Sequence, residues 1–323
     1  MRNLIQILSD YYYRTDFRNF QNTFSREIYD TLGFSYSRND NEVSMVTEMC
    51  NSVNGKSFDK LKFYSKKIHG SRSYVEFFNR DKPVTTELAD MVIISIATMN
   101  KNIVYEKIAF IQNKKANSND IWDIDENQLY LLHNFPSFKG SKGIFKRNYK
   151  DEIIFLNNSQ TLGNYGLFIN HGEMILLNAL TVFKLQQNNK LKYYDIRKSP
   201  SQIHNNDFGI TFPFIDHPFF DEKFHRFLKH FPKYGFPLTH MPFLNNHMVS
   251  LNIYEFIRNW TLFNIGEVAS ISGDIIDNNL SEFIRLLLKQ LGLSNVINLN
   301  VEGEDNFNND SAILVSHLIL DEG

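Results

Sequence analysis

The chain has 323 residues, of which 42% are hydrophobic and 22% charged, with a formal net charge of −2. This length predicts two domains or one core with a large elaboration, and the composition allows a sizeable core. The single cysteine, Cys50, excludes an internal disulfide and a cysteine-based zinc site, and it favours a reducing compartment.

The first part of the chain is predicted to be helical. Apolar residues recur at helical spacing over 3–32, and Gly33 is a candidate helix end. Further helices are predicted over 42–52 and over 57–67, where apolar residues again share a face. The pattern changes at 73–78, which is rich in aromatic and branched residues and is followed by a turn, as in a strand.

Two apolar segments separated by a short polar loop predict a β-hairpin. Residues 88–98 are apolar on both faces, as in a buried central strand, and 103–113 form the returning strand. The loop is predicted to be Asn100, Lys101 and Asn102. A helix over 121–134, with Asp120 as its N-cap, would then return the chain to a parallel strand at 152–156.

The second half of the chain has a weaker pattern. Residues 165–169 and 174–183 are each expected to extend the sheet or to start a helix, and residues 199–217 to form a loop. Helices are then expected at 219–230, 250–264 and 280–291, and a last strand at 312–319. We therefore predict an α/β protein with a mixed central sheet flanked by helices. A core with N-terminal helices would cover 1–160, and a C-terminal α+β extension would cover 161–323.

The predicted hairpin gathers three polar side chains at one end of an apolar sheet face. A three-residue loop places Asp90 opposite Gln112, with Lys114 two residues further on the same face. A two-residue loop would instead pair Asp90 with Ile111 and break the cluster. Mg²⁺ is typically held by one or two carboxylates with waters and phosphates, so Asp90 and Gln112 are candidate ligands. Lys114 would position water and offset charge on a phosphate.

These segments resemble the PD-(D/E)xK restriction-endonuclease-like nuclease superfamily, in particular its Mrr-like subset, in which glutamine replaces the usual acidic residue. The resemblance covers about residues 25–160 and rests on Glu87-Leu88-Ala89-Asp90 and Phe110-Ile111-Gln112-Asn113-Lys114. It implies a restriction-endonuclease-like core, a catalytic metal at Asp90, Mg²⁺ or Mn²⁺ as cofactor, DNA as substrate, and a role in restriction or antiviral defence.

Two departures from the family pattern bear on this resemblance. No proline precedes Asp90, and Gln112 occupies the acidic position. A second carboxylate for catalysis or metal binding would come from Glu87, from Glu76 or from Glu27, in that order of preference. The alternative is that Asp90 and Lys114 only cap strand ends. The chain would then be a catalytically inactive nuclease-fold protein acting as a nucleic-acid-binding or regulatory subunit.

The charged residues are unevenly distributed along the chain. Basic residues exceed acidic ones over 1–150, which suits a polyanion, and the reverse holds over 151–323. Candidate DNA contacts, which give affinity without sequence readout, are Lys67, Arg72, Lys115, Lys139, Lys142, Lys146 and Arg147. Region 161–323 would read DNA, form a homodimer or bind another defence-system subunit.

Two further expectations concern metals and membranes. His217, Asp221 and His225 share a possible helix face, but the spacing of a zinc hydrolase is missing. No apolar run approaches the length of a bilayer span, and the N-terminus lacks the apolar segment of a signal peptide. We therefore expect a cytoplasmic protein with no membrane partner.

Overall fold

A computed structural model describes residues 2–67, 74–142, 146, 148–158, 160–169, 172–198, 249–271, 274–299 and 312–320. The described helices are α1 Arg2–Tyr13, α2 Thr15–Ser37, α3 Glu42–Val53, α4 Glu126–Asn134, α5 Ala179–Leu185, α6 Tyr193–Lys198, α7 Ile253–Thr261 and α8 Asn278–Gln290, with a 3₁₀ turn at Leu293–Asn295. In this part of the chain, no helix combines the length and apolarity needed to cross a membrane.

The described strands are β1 Ser57–Phe58, β2 Leu61–Lys67, β3 Tyr74–Asn79, β4 Lys82–Glu87, β5 Met91–Met99, β6 Asn102–Lys115, β7 Ile121–Asp123, β8 Phe138–Gly140, β9 Gly163–Phe168, β10 Met174–Asn178, β11 Lys190–Lys192, β12 Val249–Ser250, β13 Glu267–Ile271, β14 Asp274–Ile275 and β15 Ala312–Leu320. The molecule is thus mixed α/β, as predicted.

One mixed sheet carries the fold. Its order is β1-β2-β15-β5-β6-β9-β10-β12, and β13 pairs with β6 and with β14. The pairs β15–β5 and β6–β9 are parallel, and the others are antiparallel. Because β15 lies between β2 and β5, strands from both sides of residue 160 alternate in this sheet. The sheet therefore does not divide at the predicted domain boundary.

Both faces of the sheet are buried. Val92, Ile94 and Phe110 point to one side, where α4, α8 and the small sheet β4-β3-β8 pack, and we call this side the α4 face. Ile93 and Ile111 point to the other side, the α2 face, which α1, α2, α3 and α7 cover. Each such side chain contributes about 1.5–3 kcal/mol by leaving water. The predicted central strand at 88–98 is confirmed.

The N-terminal half differs from prediction in one helix end. Helix α2 runs past Gly33 to Ser37, so Gly33 is not a stop. The main chain of α2 at this point lies against Gly172. A Cβ added at Gly172 would lie 2.7 Å from the Gly33 nitrogen and 2.2 Å from the Tyr29 carbonyl oxygen. The glycine at position 172 therefore lets α2 contact the loop before β10.

The predicted helix at 57–67 is wrong. This segment forms β1 and β2, joined at Asp59 and Lys60. Leu61 and Phe63 are buried, whereas Lys62 between them is exposed, which is the alternation of a strand. The prediction was misled because Phe58, Leu61 and Tyr64 are three residues apart, a spacing that also occurs on one face of a helix.

The segment after β6 also needs correction. A single helix was predicted over 121–134. The first residues of this segment form β7, and only Glu126–Asn134 is helical. Its N-cap is Asp125, whose Oδ1 accepts from the N–H groups of Asn127 at 3.0 Å and Gln128 at 2.8 Å. Asp120 instead has a positive φ of 54°. The parallel strand that follows the crossover is β9, and 152–156 holds only one isolated bridge.

In the second half, the helices predicted at 250–264 and 280–291 and the last strand are confirmed as α7, α8 and β15. Strand β10 is followed by α5 within the segment 174–183. The loop predicted at 199–217 and the helix at 219–230 lie outside the described residues, as do His217, Asp221 and His225.

Helix α3 begins at a side-chain cap. The Asn41 Oδ1 accepts from the Ser44 N–H at 2.9 Å. We expect Asn41→Ala to lower the free energy of unfolding by about 1 kcal/mol, because an N–H at the helix start loses its acceptor. Denaturant titration would measure this. Asn41→Asp keeps the acceptor and serves as control, and equal stability of Asn41→Ala and the parent chain would contradict the assignment.

Candidate functional site

The turn between β5 and β6 holds two residues rather than the predicted three. Asn100 and Lys101 have positive φ values of 53° and 63°, and the ladder begins on either side of them. Such values are those of a tight two-residue hairpin turn. A regular ladder from this turn would pair Asp90 with Ile111 and separate the polar residues.

An irregularity in the ladder restores the predicted register. One extra residue of β6 is accommodated at the step between Ala97 and Thr98 of β5, as in a β-bulge. Every later pair is shifted by one residue. Asp90 therefore lies across from Gln112, as the sequence predicted, although the predicted loop is wrong.

Asp90 is held from both neighbouring strands. Its N–H donates to the Ile111 carbonyl at 3.1 Å, and its carbonyl accepts from the Ala312 N–H at 2.9 Å. Its carboxylate Oδ2 accepts from the Asn113 N–H at 2.8 Å and from the side-chain amide of Gln112. The main chain at Asp90 is thus held by β6 and by the start of β15, and its carboxylate is held by β6.

Gln112 uses only one end of its amide. The side chain is 4% exposed, and its Nε2 donates to Asp90. Its Oε1 has no hydrogen-bond partner among the residues that the structure describes. A buried acceptor in this condition costs about 1–3 kcal/mol. A cation or a hydrogen-bond donor next to Asp90 would remove that cost.

The charge of Lys114 acts on the carboxylate of Asp90. Burial raises the pKa of Asp90 to about 6, and the Asn113 N–H and the charge of Lys114 act against this rise. Lys114 is partly buried and follows Gln112 on the same face of β6. The structure therefore brings together all three residues of the predicted centre.

Glu42 is an acidic neighbour that the sequence did not indicate. Its charge adds to the rise in the pKa of Asp90, and its Oε1 accepts from the Lys115 N–H at 3.1 Å. Beyond the start of β5, the N–H groups of Asn113 and Lys115 are bound by the carboxylates of Asp90 and Glu42 respectively. The only sequence signal was an acidic residue in the first turn of a predicted helix.

The predicted second carboxylates lie in other surroundings. Glu76, on β3, forms an ion pair with Lys139 at 2.8 Å, and Glu27, on α2, pairs with Lys56. Glu87 ends β4 opposite Tyr74 in the small sheet. The acidic residue among the leading influences on the pKa of Asp90 is Glu42.

Lys115 is tied to the link between α2 and α3 rather than presented to solvent. Its Nζ donates to the Asn39 Oδ1 at 2.9 Å and to the Asp40 carbonyl at 2.8 Å, and it lies 4.8 Å from the centre of the Tyr36 ring. These contacts hold that link, and with it the start of α3, against the end of β6. Glu42 is positioned by the same arrangement.

The other predicted DNA contacts are spread over two regions. Lys142 is exposed and lies 5.0 Å from the centre of the Tyr74 ring, and Lys146 is also exposed. Lys67 ends β2 opposite Ala312. Arg72 and Arg147 lie outside the described residues.

Tyr165 is a second residue that the sequence did not connect with the site. It lies on β9 next to Gln112 in the parallel ladder. A parallel strand after the crossover was predicted, but at 152–156, so the neighbour of Gln112 was missed. Placing the parallel partner at 163–168 would have revealed it.

Searches against family models, curated proteins and solved structures found no match to this chain.

Proposed function

We propose that this chain is a metal-dependent DNA endonuclease of the PD-(D/E)xK type, acting in restriction or antiviral defence. The observation that carries the proposal is the cluster at the end of the β5–β6 hairpin. There a carboxylate, an unpartnered amide oxygen and an ammonium group come from Asp90, Gln112 and Lys114. The helical crossover from β6 to the parallel β9 agrees with the crossover to a parallel strand that the sequence pattern predicts.

The side chains at this cluster suit Mg²⁺ or Mn²⁺. The described residues contain no group of three or more His, Cys, Asp and Glu side chains that could hold a metal. A cation would therefore take a mixed set, with Asp90, the Gln112 Oε1 and Glu42 joined by waters and a substrate phosphate. A bound cation would polarise the phosphate and activate a water. The raised pKa of Asp90 and the unpartnered amide oxygen both fit this role.

The remaining chemistry belongs to the chain itself. Lys114 would offset the negative charge that develops on the phosphate and would orient the attacking water. The Asn113 N–H holds one oxygen of Asp90 and so fixes the direction of the carboxylate. Exposed Lys142 and Lys146 would bind the DNA backbone without reading its sequence. Residues 161–323 would supply recognition, a homodimer contact or a contact with another defence subunit.

A second candidate function rests on the hydrogen bonds of Asp90. The Asp90 Oδ2 accepts both from Gln112 and from the Asn113 N–H. Asp90 therefore also caps the end of β6 that extends past β5. A protein that kept only this structural role would bind nucleic acid or a partner subunit without cleaving. Metal binding separates the two functions.

The endonuclease proposal is tested with supercoiled plasmid. We expect the purified chain to nick it with Mg²⁺ or Mn²⁺ and to stop when EDTA removes the metal. Calorimetric titration should show Mn²⁺ binding that Asp90→Asn abolishes, because the substitution removes the anionic ligand while keeping the shape of the side chain. Asp123→Asn, an exposed carboxylate on β7, is the control. Plasmid binding without nicking or Mn²⁺ binding would favour the second function.

A further inference from the structure

Tyr165 combines complete burial with an unsatisfied polar atom. The residue is 0% exposed and packs in the core of the α4 face. Its hydroxyl has no hydrogen-bond partner in the described part of the chain. Leaving a buried hydroxyl without a partner is costly, and phenylalanine would fill nearly the same volume without that cost. The hydroxyl is therefore available to a group that the described residues do not supply.

The position of Tyr165 links this hydroxyl to the proposed centre. Tyr165 and Gln112 are paired neighbours on the parallel strands β9 and β6. Both carry a buried, unpartnered polar atom, and Gln112 is bonded to Asp90. Two unsatisfied groups thus lie in one row of the sheet beside the carboxylate.

The charges around Tyr165 favour a hydroxyl that donates. Burial, together with the carboxylates of Asp125 and Asp90, raises the pKa of Tyr165 well above its usual range. The phenol therefore keeps its proton at neutral pH. Asp125 is the N-cap of α4, so its carboxylate is occupied by main-chain N–H groups and stays in place.

The geometry points to Tyr165 as a substrate-binding residue, whose hydroxyl donates a hydrogen bond to an oxygen of the phosphate that binds beside Asp90. This inference rests on the proposed function and deepens it. It adds a neutral donor from β9 to the cationic group that Lys114 supplies from β6. The phosphate would thereby be contacted from two adjacent strands.

Tyr165→Phe tests the inference because it removes one oxygen atom. We expect kcat/KM for plasmid nicking to fall about 10- to 100-fold, since a donor to a charged oxygen is lost. Mn²⁺ affinity should be unchanged. The thermal unfolding midpoint should stay or rise, because the hydroxyl has no partner within the described part of the chain. Tyr105→Phe, buried on the α2 face, should leave nicking unchanged.

The outcomes separate this inference from the proposed function. If the parent chain nicks plasmid and Tyr165→Phe nicks equally well, Tyr165 does not contact substrate, although the nuclease stands. A drop in nicking together with a lower unfolding midpoint would assign the hydroxyl to structure and overturn the inference.

If the parent chain does not cleave plasmid, the phosphate contact is tested by DNA binding instead. Fluorescence anisotropy with a labelled DNA duplex in Ca²⁺ would then be compared for the two chains. Weaker binding by Tyr165→Phe supports the phosphate contact while hydrolysis is rejected. Equal binding, or no binding by the parent chain, overturns the contact.

Discussion

Lys114→Ala is expected to slow Mg²⁺-dependent plasmid nicking by about 100- to 1000-fold, the usual effect of removing a group that stabilises transition-state charge. Lys114 lies on the same strand face as Gln112, and its charge reaches Asp90. The charge of Lys114 lowers the pKa of Asp90 against the effect of burial. Rates measured at saturating Mg²⁺ would isolate this loss from weaker metal binding.

Two further variants sharpen the Lys114 experiment. Lys114→Arg keeps the charge but spreads it over a planar group, so we expect it to recover only part of the rate. Lys190→Ala removes an exposed lysine from β11 and should nick like the parent chain. Nicking by Lys114→Ala at the parental rate would show that the assigned centre is wrong, even if the chain cleaves DNA elsewhere.

Many helices and strands of the fold were predictable from local patterns of apolar residues. The apolar run that became β5 and its returning partner β6 were clear in the sequence because a central strand is buried on both faces. Helices α2, α3, α7 and α8 followed from apolar residues at helical spacing. Pairing between distant segments was not visible in this way, and β15 entered the sheet beside β5 without any local signal.

The sequence predicted the candidate site only in part, because some of its residues come from distant segments. Asp90, just before β5, and the polar residues on β6 could be grouped from residue type and alternation, and their register was predicted correctly. The reason given for it was wrong, because a two-residue turn and a bulge replace a three-residue loop. Glu42 and Tyr165 come from α3 and β9, and their approach depends on packing across the whole sheet.

A buried lysine gives the second large effect, which concerns stability. Lys107 is 1% exposed, and its Nζ donates to the Phe263 carbonyl at 3.2 Å. Burial lowers the pKa of Lys107 to about 7, and the carboxylate of Glu267 opposes this. Unfolding returns the amine to water, where its pKa is about 10.5.

The sign of the pH dependence follows from proton binding. Between pH 7 and pH 10.5 the unfolded chain holds a proton on Lys107 that the folded chain has released. The free energy of unfolding therefore rises with pH in this range, by up to about 1.4 kcal/mol per unit. Below pH 7 both states are protonated and this contribution is constant.

We expect Lys107→Met to remove about 2–3 kcal/mol of the increase in unfolding free energy between pH 7 and pH 9. This interval is chosen because burial raises the pKa of Cys50 to about 12 and that of Tyr11 to about 12. Those groups reduce stability only above their unfolded values of 9.0 and 10.0. Denaturant titrations of both chains at several pH values give the difference in slope. Parallel curves would mean that Lys107 keeps its proton when folded, held by Glu267 as a buried ion pair.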